Sequence, residues 1–94
     1  MVVRGDLPKG VLAAQVCHAA GESSPGNLPE GTYAVVLTSE QLEELSAELG
    51  ARGVKHKRII ENDAPYAGEL MALGLEPAPR SALKRHLRQL RLLR

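Results

Sequence analysis

Ninety-four residues, 44% hydrophobic and 24% charged, make one small domain, residues 1–94, with room for a single modest core. One cysteine excludes an intrachain disulfide and a cysteine-rich zinc site, and two Tyr with no Phe or Trp exclude the multi-aromatic platforms on which single-stranded nucleic acid stacks. The net charge is only +1 but it is segregated: residues 39–50 hold four Glu and no base, residues 52–58 four bases and no acid, and residues 80–94 six Lys and Arg with no acid. That pattern permits a polyanionic partner without requiring one.

Residues 1–4 read as a short strand, and residues 5–9 as a turn. Residues 10–21 are rich in helix formers and free of proline, and so predict a helix. Its Leu12, Val16, Ala19 and Ala20 form an apolar stripe, while Gln15 and His18, three apart, are neighbours on another side. Residues 23–31 are dense in Pro, Gly, Ser and Asn and predict an exposed loop. Residues 32–37 are almost continuously apolar, as expected of an interior strand covered on both faces. Thr38 and Gln41 fit a capping box opening a second helix with Leu42, Leu45 and Leu49 inward. Residues 54–60 read as a third strand, 61–68 as a polar loop and 69–74 as a fourth strand. A last helix runs from residue 80 towards the end, with a basic stripe of Arg80, Lys84, Arg88 and Arg91. The order β-α-β-α-β-β-α predicts an α/β fold: a three-layer α/β/α sandwich on a four-stranded mixed, mostly parallel sheet. The eight residues between the third and fourth strands are too few for a parallel crossover, so those strands are antiparallel neighbours or separated.

Four groups of residues are candidates for chemistry. His18 is an acid/base candidate beside Gln15, its plainer reading being an imidazole satisfied by a backbone carbonyl. Lys9 and Gly10 open the first helix, where unpaired amides favour an anion. Glu61, Asn62, Asp63 and Tyr66 lie in the loop after a strand, where α/β sites form, although Asn, Asp and Pro are also turn formers. Lys84 and Arg88 on the last helix are candidates for a nucleic-acid backbone. Cys17 is expected to be a buried apolar side chain, since adjacent residues on a helix point about 100° apart and a Cys17–His18 nucleophile pair is disfavoured. His18, His56 and His86 lack ligand spacing, so no metal is expected.

Residues 2–7 (Val-Val-Arg-Gly-Asp-Leu), Lys9-Gly10 and residues 13–20 (Ala-Ala-Gln-Val-Cys-His-Ala-Ala) resemble the opening of the type II peptidyl-tRNA hydrolases, in particular the divergent peptidyl-tRNA-hydrolase-domain branch. The later elements fit the same order over nearly the whole chain. The resemblance implies hydrolysis, by water and without a metal or other cofactor, of the ester joining a peptide to tRNA. It implies His18 in polarising or proton handling, Asp63 in orienting the water, and Gln15 in hydrogen-bonding substrate. Lys9, Tyr66, Lys84 and Arg88 would be on the tRNA side. The family carries a lysine directly after the turn glycine and threonines in its late loop; here Val11 stands in place of that lysine and those threonines are absent. The alternative is therefore an inactive tRNA- or protein-binding module on the same fold, and a homodimer through a sheet edge or an apolar helix face is a third reading. The single cysteine, the lack of a basic, apolar leader and the lack of any run near ~20 apolar residues favour a cytoplasmic chain with no membrane partner.

Overall fold

Two adjacent valines set the architecture. Val2 and Val3 form strand β1 (Val2–Val3), both are fully buried, and successive strand residues point to opposite faces. The valines therefore seed two cores, one on each side of the sheet. The computed structural model describes residues 1–27, 30–32 and 34–93. Leu28, Pro29, Tyr33, Arg94 and the side chain of Arg80 lie outside the described residues, and with them parts of the breaker-rich loop, the 32–37 run and the start of the basic stripe.

The remaining elements are α1 (Lys9–Ser23), β2 (Leu37–Thr38), α2 (Leu42–Ala51), β3 (His56–Ile60), β4 (Leu70–Leu75), α3 (Arg80–Leu87) and β5 (Arg91–Leu92). The sheet order is β3-β4-β1-β2-β5. This is a mixed α/β sheet of five strands rather than four. Among the described residues only β1–β2 is parallel; β1–β4, β2–β5 and β3–β4 are antiparallel, so the expectation of a mostly parallel sheet is overturned. The chain leaving α3 turns back at residues 88–90 and lays β5 against β2, which shortens the last helix and supplies the fifth strand.

On the Val3 face, Ala19, Ile59 and Ala72 are buried together, with Met1, Leu12, Val16 and Val36 packed against them, so α1 lies here. On the Val2 face, Leu42, Leu45 and Leu49 of α2 pack with Leu70 and Leu73, and Leu87 and Leu90 close over them. Each such fully buried aliphatic side chain contributes about 1.5–3 kcal/mol. Gly74 decides how closely α1 settles: a Cβ there would strike the backbone oxygen of Ala19 and the Cβ of Ser23. Ser23, buried at that contact, donates its hydroxyl to Ala19 O at 2.7 Å.

Other expectations shift in detail. The capping box does not form: Thr38 belongs to β2, and Gln41 precedes α2 with its backbone N–H donating to Ser39 Oγ at 3.1 Å. The far end of α2 is a Schellman motif around Gly53 (φ +73°), with Val54 N–H to Leu49 O at 2.9 Å and Gly53 N–H to Gly50 O at 3.1 Å. Among the described residues of the expected 32–37 strand, pairing with β1 begins at Leu37 and continues to Thr38, and Val35 is 47% exposed. Cys17 is exposed, not buried, because α1 buries the line Gln15, Ala19 and Ser23, and Cys17 falls off that line.

Candidate functional site

Strand alternation brings the first carboxylate of the late loop to the opening helix. Ile59 faces α1, so Glu61, two residues on, leaves the strand on the same side. There Gln15, 1% exposed, donates from Nε2 to Glu61 Oε2 at 2.8 Å. The other carboxylate oxygen accepts the backbone N–H groups of Asn62 at 2.9 Å and Asp63 at 3.3 Å. The Asn62 and Asp63 amides, then Gln15, hold the Glu61 carboxyl below the usual carboxylate range, and the charge of His18 acts in the same direction. The imidazole of His18 is exposed on α1, three residues on from Gln15, which is sealed beneath, and no ion pair joins it to Glu61 among the described residues. Gln15 Oε1 is buried with no partner among the described residues. A half-buried carboxylate fixed by three donors is a poor proton acceptor but a stable anchor for a water or an imidazolium.

Arg4 ties the same loop to the end of β1. Its guanidinium grips Asp6 through Nε at 3.1 Å and Nη2 at 2.8 Å, reaches Glu69 from Nη1 at 2.8 Å, and lies 5.8 Å from the centroid of the Tyr66 ring. Hydrogen bonding to Asp6 raises the Arg4 pKa and lowers that of Asp6. Arg4 is therefore fully committed and positions the 61–69 loop.

The other expected site residues are placed apart. Asp63 is exposed; its backbone, not its carboxylate, takes part, so Glu61 occupies the place expected for Asp63. Tyr66 is half-buried against Arg4 rather than presented to a ligand. Lys9 is exposed at the first position of α1. Lys84 and Arg88 are exposed at the end of α3, whose Leu87 packs on the Val2 face, so the sheet separates them from Gln15 and Glu61. The sheet also splits the basic block 52–58. His56 and Arg58 point to α2, where Ser46 meets His56 Nε2 at 2.7 Å and Arg58 Nη2 bonds Glu43 at 2.9 and 3.0 Å, while Lys57 alternates to the other face.

Beside Arg4 lies a groove of about 570 Å³ whose charged lining is Asp6, Glu40, Glu43, Glu44 and Glu69 against one guanidinium. This rim repels polyanions. No group of three or more His, Cys, Asp or Glu side chains among the described residues could hold a metal ion, and no helix there is long and apolar enough to cross a membrane. Glu61 was one of the late-loop candidates, with the role itself expected of Asp63, whereas Arg4 and Glu69 were not singled out; the period-2 step from Ile59 is the signal that picks Glu61 from that loop. No protein-family model, curated protein or solved structure matches the chain.

Proposed function

We propose that this chain is a peptidyl-tRNA hydrolase-like domain, a three-layer α/β/α sandwich that hydrolyses an ester by water attack at the Gln15–Glu61–His18 cluster. The observation that carries the reading is the 2.8 Å bond from buried Gln15 to the Glu61 carboxylate, with exposed His18 three residues further along the same helix. In this mechanism water, held at Glu61 and His18, attacks the ester carbonyl and gives its proton to His18. The C–O bond to the ribose then breaks, and His18 returns the proton to the leaving hydroxyl. Glu61 stays ionised throughout, helps to hold the water, and its charge favours the imidazolium that forms. Lys9 is the ammonium nearest in sequence for the developing oxyanion, since the Val11 side chain has no donor.

The test follows cleavage of a peptidyl-tRNA by the whole chain. Glu61→Gln and His18→Ala are each expected to lose about 100-fold, the usual worth of a positioned acid/base group, while Asp63→Asn stays near the parent rate. Equal rates in all four proteins would end the reading.

A second reading, a binding module without turnover, is favoured by Val11 in place of a lysine. Binding of tRNA that weakens steeply with salt, with no ester cleavage, selects it.

A further inference from the structure

The parallel pair β1–β2 is a topological switch point. After β1 the chain enters α1 on the Val3 face; after the adjacent β2 it enters α2 on the Val2 face. Connections that diverge from neighbouring parallel strands leave a crevice outside their carboxyl ends, where open α/β sheets bind ligands. The crevice is present here as a groove of about 320 Å³ over Gly5, Thr38 and Ser39, with Gln41, Gln89 and Arg91 on its walls.

Its lining is unlike that of the acidic groove. Arg91 has no ion pair, and the side-chain amides of Gln41 and Gln89 have no hydrogen bond, among the described residues. Ser39 Oγ accepts the Gln41 N–H at 3.1 Å and keeps its own proton to give. Glu40 is the one carboxylate on this lining. An unpaired guanidinium suits a phosphate, while a carboxylate and two amides suit vicinal hydroxyls. No aromatic ring is present to stack a base. Gly5 leaves the floor open: a Cβ there meets only the side chain of Thr38, at 3.5 Å, so a larger side chain would rise into the groove.

We propose that the switch-point groove binds a ribose phosphate unit, with Arg91 on the phosphate and Glu40, Gln41 and Gln89 on the sugar hydroxyls. The unit could come from a free sugar phosphate or from a nucleotide of an RNA strand. The groove does not include Gln15, His18 or Glu61, so the proposal stands whether or not the chain cleaves esters.

The experiment is an amide-resolved NMR titration of the whole chain with ribose 5-phosphate, ribose, inorganic phosphate and a short single-stranded RNA. Ribose 5-phosphate should shift the amides of Gly5, Ser39 and Gln41 saturably. Arg91→Gln and Gln89→Ala should each weaken binding about tenfold, the worth of one charge-assisted or well-placed hydrogen bond. Gly5→Leu should abolish it, and the two exposed-residue variants keep the test valid if Gly5→Leu fails to fold. Tighter binding of the RNA supports a strand as the source; tighter binding of the sugar phosphate supports a free one. No saturable shift with either, or affinity unchanged in both Arg91→Gln and Gln89→Ala, overturns the proposal.

Discussion

Replacing Gln15 with leucine separates a functional amide from a structural one. Gln15 is 1% exposed, donates to Glu61 at 2.8 Å, and carries a buried Oε1 with no partner. Leucine forfeits the charge-assisted bond, worth about 1.5–3 kcal/mol. It also removes the desolvation cost of the orphaned oxygen, about 1–3 kcal/mol, and fills the space with an apolar side chain. Glu61 is only half-buried and keeps its two backbone donors, so it can turn to water. The gains and losses are of similar size, and Gln15→Leu should cost no more than about 1 kcal/mol, or about 4–8 °C in Tm. The same variant frees one oxygen of Glu61, so its carboxyl pKa should rise towards the ordinary range, read by carboxyl NMR, and ester cleavage should fall about tenfold or more. Urea unfolding supplies the stability. A loss above about 3 kcal/mol with the Glu61 titration unchanged would make the amide a core tie and refute the reasoning.

Three further predictions can be checked by unfolding experiments. Glu61 and Asp6 have carboxyl pKa values below those of the unfolded chain, so their contribution to stability is complete above about pH 4–5 and is lost as pH falls through the folded values. Glu61→Gln should therefore flatten the decline of Tm on acidification from pH 5, and an equally steep decline would count against the three-donor anchor. Gly74→Ala should destabilise by about 2 kcal/mol despite the ~0.5–1 kcal/mol that alanine gains over glycine in propensity, because the new methyl meets the Ala19 carbonyl; a neutral or stabilised variant would mean that α1 can lift without cost. Ser46→Ala removes both the donor to His56 and an acceptor of Arg58, and should cost about 1–2 kcal/mol by urea unfolding, with a cost near zero dismissing that cluster as an α2–β3 tie.

Local pattern carried much of the fold, and failed where a partner segment decided the outcome. Helix α1 was legible from its composition, and the short link between β3 and β4 left antiparallel pairing as one of two arrangements. The 32–37 run looked like a long interior strand, yet its ladder depends on β1 and β5, which are two residues each. Thr38 fits a cap by spacing, but pairing with Val3 and Arg91 draws it into the sheet and moves the helix start to Leu42. In the site, Gln15 and His18 were legible as neighbours, but their different burial was not. Asp63 and Glu61 are equivalent by residue type; only the pleat direction inherited from Ile59 turns Glu61 towards α1. The basic block 52–58 looked like one patch because sequence proximity hides the alternation that sends Arg58 to Glu43 and Lys57 the other way.

The uneven lengths of the strands foretell how the molecule breathes. β3 and β4 share a five-residue register, whereas β1, β2 and β5 contribute two residues each. Slow amide exchange should concentrate in the hairpin, and the β2–β5 margin should open first, at a fraction of the global unfolding free energy. A guest over Gly5 and Ser39 would then bridge the durable half and the yielding half, and its arrival would be felt as tightening along the carboxy-terminal rim.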